Sequence, residues 1–257
     1  MIDGHIHIEF QKYDLELINN MVEVALSHGL DELNILDHTH KFIDFNFLYS
    51  SMKDKYSKAF YEDKKKTQIP LNDYLDFIKL VKSKSWPIKL NFGLEACYSK
   101  EHEKELKGFL ESLKPFKFDF LIGSVHFTSG HVIDLNKEIY LENDVDELYK
   151  SYFQSVEDSI KSQLFDVIGH PDLIKRFDFF PSFSLTPYYE RLAKTLKEYN
   201  QKTENNSGLI RHGYPYPGLT PELLEIFKKF DVKFHKSSDA HVYQDIGRVF
   251  DQIEDNL

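Results

Sequence analysis

Hydrophobic positions along the chain follow two rhythms that take turns. Short apolar runs alternate residue by residue, and between them apolar residues recur every three or four positions. The first run, Met1 to Ile8, sets Ile6 and Ile8 against His5 and His7. Side chains in a strand alternate between two faces, so both histidines point the same way. From Asp14 to His28 the spacing of Leu15, Ile18, Met21, Val22, Ala25 and Leu26 predicts an amphipathic helix, closed by Gly29. The pair of rhythms then repeats. Further strands are predicted over residues 32–36, 88–94, 119–125, 165–168, 201–206 and 233–237. Helices are predicted over 71–84, with Pro70 near its start, and over 101–113, 144–162, 186–199 and 221–230, with Thr220 as N-cap of the last. A short helix is expected around Gly247 to Ile253. Residues 41–70 break the rhythm: they are aromatic at first and then strongly charged from Lys53 to Lys66. Phe42, Phe45, Phe47 and Leu48 need burial, so this stretch reads as an active-site loop insertion with one or two short helices.

Strand–helix alternation repeated about seven times implies a parallel sheet flanked by helices. No compositional break or internal repeat divides residues 1–257, which therefore read as one α/β domain. The ends of the strands carry the chemistry. His5 and His7, Asp37 and His38, Glu95, His126, His170, and Asp239 with His241 all fall at C-terminal strand ends. A closed (β/α) barrel gathers those ends on one rim, whereas an open sheet strings them along an edge. The pattern therefore favours a closed or nearly closed barrel.

Composition narrows the function. Hydrophobic residues make up 41% of the chain and charged residues 29%, enough for a packed core. A net charge of −10 argues against long nucleic acids and anionic membranes as partners. The start of the chain has no signal-peptide pattern and no run is long enough to span a membrane, so a cytoplasmic protein is expected. Cys97, the single cysteine, sits in an apolar context that suits packing.

A lone histidine or carboxylate after a strand is usually a cap or a surface charge. His28, His102, His131 and His235 fit no pattern and read as solvated or packing residues. Six strand ends carrying imidazole or carboxylate are a different matter, and they read as a multinuclear site for divalent cations such as zinc, iron or manganese.

The order of these residues is similar to that of two superfamilies of metal-dependent barrels. Amidohydrolases run His-x-His, a bridging carboxylate, His, His and Asp. The polymerase-and-histidinol-phosphatase superfamily adds a histidine after the second strand and another two residues beyond the last Asp. Asp37-His38 and Asp239-Ala240-His241 supply both additions. The chain resembles the histidinol-phosphate phosphatase family of that superfamily over almost its whole length. The stretches that carry the resemblance are Asp3-Gly4-His5-Ile6-His7, Gly123-Ser124-Val125-His126, Gly169-His170-Pro171-Asp172, Glu204 to Leu209, and Ser238-Asp239-Ala240-His241.

The resemblance implies a distorted seven-stranded (β/α)7 barrel with two or three metals. His5, His7, Glu95 and Asp239 would hold one; Glu95 would bridge to a second held by His126 and His170; His38 and His241 would hold a third. The family pattern places one more histidine where this chain has Tyr13, so the third site is expected to be weaker, completed by water, or helped by Glu9 or Asp14, and Asp37 to ligate or support. A water shared by two cations would lose a proton near neutrality and attack a phosphate ester in line. Arg176 and Arg211, with Asn206 and Ser207 beside the latter, are the expected substrate contacts, Arg176 having Asp178 as a competing partner. His40 and His212 are candidate acids beside Glu95 and Asp239. The expected reaction is hydrolysis of L-histidinol phosphate, a small phosphate monoester of histidine biosynthesis. The alternatives are another phosphoesterase of the superfamily, acting on nucleotides or as an exonuclease, and a non-catalytic metal-binding module. Selectivity is expected from the 41–70 insertion, with Asp44 near the ammonium group and Tyr49 or a Phe against the ring.

Overall fold

The computed structural model describes residues 1–256. Its frame is a seven-stranded parallel sheet built from β1 (Ile2–His7), β2 (Glu32–His38), β3 (Lys89–Cys97), β4 (Phe120–Ser124), β7 (Val167–Ile168), β8 (Lys202–Asn206) and β9 (Phe234–Ser237), in that order. A two-stranded antiparallel hairpin, β5 (Phe127–Thr128) with β6 (His131–Val132), follows β4. The sheet closes on itself where Ile6 bridges Ala240 and His7 N–H donates to the Ala240 carbonyl at 2.7 Å. The result is a distorted (β/α)7 barrel, the distortion greatest at β7, which pairs over only two residues.

The helices are α1 (Leu15–Ser27), α2 (Lys55–Lys65), α3 (Leu71–Lys82), α4 (Glu103–Ser112), α5 (Glu138–Glu142), α6 (Val145–Ser162), α7 (Thr186–Glu198) and α8 (Pro221–Lys229). Their starts follow capping chemistry. The Asp14 carboxylate accepts from Leu17 N–H at 3.0 Å at the head of α1, so Asp14 is a cap and not a metal ligand. Asp54 and Asp144 cap α2 and α6 in the same way. Thr220 holds the N-cap position of α8 but makes no side-chain capping bond. Each main helix turns one apolar face to the barrel; α1 buries Leu17, Ile18, Met21, Val22 and Ala25.

Registers decide what meets inside the barrel. His38 pairs with Glu95, and Glu95 with Ile122, across β2, β3 and β4. Residues two apart share a face, so Leu36, Phe120 and Ile122 lie on the inward face with Glu95. With Val167 they form a small buried cluster under the charged residues. This dry plug keeps the polar groups at the rim. A bulge between Asp3 and Ile6 adjusts β1 just before His7.

Asp3 is the clasp of the barrel seam. Its fully buried carboxylate accepts from Ser238 N–H and Gly247 N–H, each at 2.9 Å. Burial pushes the carboxyl up to about 6, although these hydrogen bonds pull in the opposite direction.

Most element boundaries agree with the sequence pattern within a few residues. Strands β2 and β3 run on to His38 and Cys97, past the predicted 36 and 94. Residues 247–253 form turns and no helix; the only helical turn there is the 3-10 segment Tyr243–Asp245. The helical spacing of Val249, Phe250 and Ile253 was misleading, because Phe250 and Ile253 are buried as turn anchors. The connection after β4, unassigned from sequence, contains the β5–β6 hairpin and α5.

Replacing Asp3 by alanine leaves two buried N–H groups without an acceptor. We expect a loss of roughly 2–4 kcal/mol of stability, read as a lowered urea midpoint with unchanged slope.

Candidate metal centre and active site

Glu95 occupies the middle of the C-terminal rim and is 1% exposed. Five imidazoles surround it. His126 Nε2 and His170 Nε2 lie 3.3 and 2.9 Å from its Oε1. His5, His7 and His38 put their Nε2 atoms 3.3, 3.3 and 2.9 Å from its Oε2. The carboxylate thus divides the histidines into two sets, one per oxygen, which is the arrangement expected of a bridging ligand. Asp239 adds a carboxylate oxygen 3.4 Å from His7 Nε2, and the donor nitrogens of His7, His38 and His241 lie within 4.8 Å of one another.

These residues fit divalent cations on geometry. Ligand atoms about 2.0–2.1 Å from one ion are about 2.9–3.4 Å apart at octahedral or tetrahedral angles. Glu95 Oε2 is buried and accepts no hydrogen bond despite three ring nitrogens at that range. Donors that crowd an atom without aligning on it are arranged around a shared point beside it. The charge balance agrees. Burial would strip the proton from His38, but Glu9 and Glu95 outweigh it and hold the imidazole up to about 10. Burial also opposes charge on His5 and His126, yet carboxylates around each raise both well above the ordinary value. Such protons occupy the places that cations take when bound.

A second layer of carboxylates fixes the rings. His5 Nδ1 bonds Glu204 Oε1 at 2.8 Å, which leaves Nε2 facing Glu95. The other Glu204 oxygen accepts from His170 N–H at 3.1 Å and from Asn206 at 3.0 Å. Glu204 therefore holds a residue of each set, and His170 is kept at an unfavourable φ of 22°. Glu9 Oε2 takes His38 Nδ1 at 2.9 Å, and its other oxygen lies 3.9 Å from His40 Nε2. Asp37 accepts from Ile8 N–H at 2.9 Å with one oxygen and from the Tyr13 hydroxyl with the other. Asp37 thus supports β1 from behind instead of offering a free oxygen to the rim. Gly208 is required at close quarters, since a Cβ there would lie 2.6 Å from Asp239 Oδ2.

Above the cluster opens a cavity of about 560 Å³, lined by His38, His126, His170, Asp239 and His241 and by Arg176 and Arg211 among others. Arg211 donates to the Asp239 carbonyl and places Nη2 3.9 Å from its carboxylate. Arg176 pairs with Asp134 at 3.7 Å, not with Asp178, and its buried Nε has no acceptor. His40 and His212 both line the cavity. Burial lowers both imidazoles; Glu9 opposes it at His40, and Arg176 and Arg211 reinforce it at His212.

Three expectations need correction. Asn206 and Ser207 are buried outside the cavity lining and bond backbone groups, Asn206 in its own turn and Ser207 at Ser237 and Arg248. Asn206 accepts from Gly208 N–H at 2.8 Å, and the Ser207 hydroxyl donates to backbone carbonyls at 3.2 Å. Short polar side chains at a strand end satisfy local backbone first. Asp44 accepts from Leu71 N–H at 2.8 Å at the start of α3, so it is not a cavity residue, whereas Tyr49 is. His235 and His131 are packing residues, as expected: His235 is buried against Gly4, and His131 bonds Asp54 at 3.0 Å. Glu204 went unassigned as a functional residue in the sequence. A charged residue predicted inside a strand was the available signal, since an unpaired buried carboxylate is costly.

A parallel barrel with imidazoles and carboxylates converging on one rim defines a metal-site α/β-barrel protein. The chain belongs to the PHP domain family, whose model matches residues 3–210. Similar proteins include one of Deinococcus radiodurans named probable histidinol-phosphatase, 28% identical over 96% of this chain and 88% of its own. Another is the histidinol-phosphatase of Bacillus subtilis, 24% identical over 97% of this chain and 96% of its own. Among solved structures, a Listeria monocytogenes protein superposes with a TM-score of 0.75 at 22% identity, covering 98% and 99% of the two chains. Histidinol phosphate phosphatase of Lactococcus lactis, complexed with zinc, L-histidinol and phosphate, superposes with a TM-score of 0.67 at 21% identity, covering 94% and 86%.

Because Glu204 orients the His5 ring of one set and holds the His170 backbone of the other, Glu204→Ala should bind zinc about 10–100-fold more weakly in competition with a chelating dye. Arg191→Ala, on the outer face, should bind zinc like the parent chain.

Proposed function

We propose that the chain hydrolyses L-histidinol phosphate to L-histidinol and phosphate, a step of histidine biosynthesis, as a metal-dependent cytoplasmic phosphatase. The observation that carries the reading is the placement of two arginines, Arg176 and Arg211, in one cavity with the Glu95-centred imidazole cluster. That combination suits a phosphate monoester, whose transition state spreads charge over the phosphoryl oxygens. The names of the Deinococcus and Bacillus relatives, and the ligands of the Lactococcus structure, support the substrate.

Two or three divalent ions are assigned to the cluster, with zinc, iron or manganese compatible with the ligand set. His5, His7, Glu95 and Asp239 would hold one. Glu95, His126 and His170 would hold a second, and His38 with His241 the third. Bound there, such ions supply Lewis acidity and an acidified water near neutral pH.

The chain's own groups do the rest. Arg211 and Arg176 bind the phosphoryl oxygens as forked donors. Arg176 Nη2 donates to His212 Nδ1 at 3.4 Å. That contact favours the neutral tautomer with its proton on Nε2, which is then free to hydrogen-bond the departing alkoxide. His40, neutral beside Glu9, serves as the second proton carrier of the cavity. Tyr13 turns to Asp37 and stays out of the cavity lining, so its presence leaves the rim open for catalysis.

The protein as purified should contain at least two divalent metals per chain by elemental analysis, and chelation should abolish phosphatase activity. Absence of stoichiometric metal with chelator-insensitive activity would refute the reading. Glu95→Gln should lose far more activity than Tyr13→Phe, because one carboxylate serves both sets of histidines. Arg211→Ala should retain its metals but bind competing phosphate more weakly by roughly 1.5–3 kcal/mol. For substrate class, kcat/KM for histidinol phosphate should exceed that for nitrophenyl phosphate or a nucleoside monophosphate by orders of magnitude.

A further inference from the structure

We propose that Asp134 receives the ammonium group of the substrate and is the residue that selects an aminoalkyl phosphate; this rests on the histidinol-phosphate reading above. Four carboxylates line the cavity: Glu9, Asp134, Asp239 and Asp245. Three are committed. Glu9 holds His38, Asp239 lies among His7, His241 and Arg211, and Asp245 is bonded by Arg248. Asp134 has only Arg176, at 3.7 Å and without a hydrogen bond, and its side chain is 23% exposed. It is the cavity carboxylate with oxygens left to give.

Its position is fixed from two sides. Ile133 N–H donates to the His126 carbonyl at 2.9 Å, which folds the β5–β6 hairpin back onto the rim. The Tyr140 hydroxyl lies 2.9 Å from the carbonyls of both Ile133 and Ile174, tying the segment that carries Asp134 to the one that carries Arg176. A carboxylate and a guanidinium are thus presented side by side on braced backbone. In a 2-aminoalkyl phosphate the anion and the ammonium are likewise close, two carbons beyond the ester oxygen. With the phosphate on Arg176, the ammonium is carried toward Asp134 and away from the guanidinium. The other side-chain cations of the lining, Lys64 and Arg211, offer it nothing. A nucleoside monophosphate or nitrophenyl phosphate has no cation at that place and leaves Asp134 unanswered beside its own negative charge.

The test compares histidinol phosphate with 3-(imidazol-4-yl)propyl phosphate, which keeps phosphate and ring but lacks the amine. The readout is the ratio of their kcat/KM values in the metal-loaded protein and in Asp134→Asn. The ratio should favour histidinol phosphate in the parent chain and fall about tenfold to a hundredfold in the variant, since one charge-assisted contact is removed. The loss should reside in KM, because the ammonium takes no part in the bonds made or broken and keeps its charge throughout the reaction. Asp134→Glu should restore part of the ratio, and inhibition by inorganic phosphate should not weaken in either variant. An unchanged ratio overturns the proposal. So does weakened phosphate inhibition accompanying equal losses on both substrates, which would make Asp134 a support for Arg176. Failure of the parent chain to prefer histidinol phosphate over nitrophenyl phosphate would instead reject the underlying reading, and the proposal with it.

Discussion

A carboxylate at the centre of five imidazoles is the constraint on which the rest of the structure depends. Glu95 is buried, and burial alone would push its proton affinity up; His38, His126 and His5 pull it well below the usual carboxylate range. The histidines in turn lose their water to gain that neighbour. Such a cluster cannot form piecemeal, because each member alone would be an uncompensated polar group. It requires several strands to deliver their ends to one place at one time. A closed parallel barrel does this as a matter of geometry. The registers that pair His38 with Glu95 and bring His7 to the Ala240 carbonyl are therefore the link between sheet pairing and chemistry.

The cluster would still be loose if its rings could turn. Glu204 and Glu9 remove that freedom from His5 and His38 by taking their outer nitrogens. Asp3 and Asp37 act on the backbone instead, the first across the seam and the second onto Ile8. The division of labour among the buried acids follows from which way each strand position faces. Asp37 and His38 are adjacent and so point oppositely, which sends one to the support layer and the other to the rim. His102 and His28, which lie off the barrel strands, take no part in the cluster.

What could be read from the sequence was what alternation and chain order encode. Strand ends are visible as apolar runs that finish in polar residues, and His5, His7, His38, Glu95, His126, His170, Asp239 and His241 all met at the rim as the pattern required. Roles that depend on tertiary neighbours were not visible. Asn206 and Ser207 look like ligand contacts in a polar stretch, but Asn206 accepts from an N–H of its own turn and Ser207 donates to a carbonyl at the end of β9. Asp44 looks like a cavity acid, but it starts α3. The 247–253 segment has helical spacing, yet its apolar residues anchor turns against the barrel. In each case a local backbone demand, or a packing demand from outside the segment, overrode the sequence signal.

The barrel strands and the connections between them do different kinds of work. The strand ends carry the histidine–carboxylate cluster, whose geometry tolerates little change because five of its imidazoles converge on one carboxylate. The connections supply the remaining walls. Tyr49, Met52, Phe60 and Lys64 come from the segment before α3, Val132, Asp134 and Leu135 from the hairpin after β4, and Arg176 from the turn after β7. Groups on connections can change without disturbing the strand registers. Under the phosphatase reading proposed above, the phosphate looks the same on every monoester, so the cluster and its arginines would not choose among substrates. That choice must be made by groups that meet the other end of the molecule. The cavity contains few polar candidates for it once the carboxylates held by imidazole and arginine are set aside. The central cluster and the outer cavity walls are thus written on different parts of the backbone, joined where the Tyr140 hydroxyl ties the segment after β6 to the loop after His170.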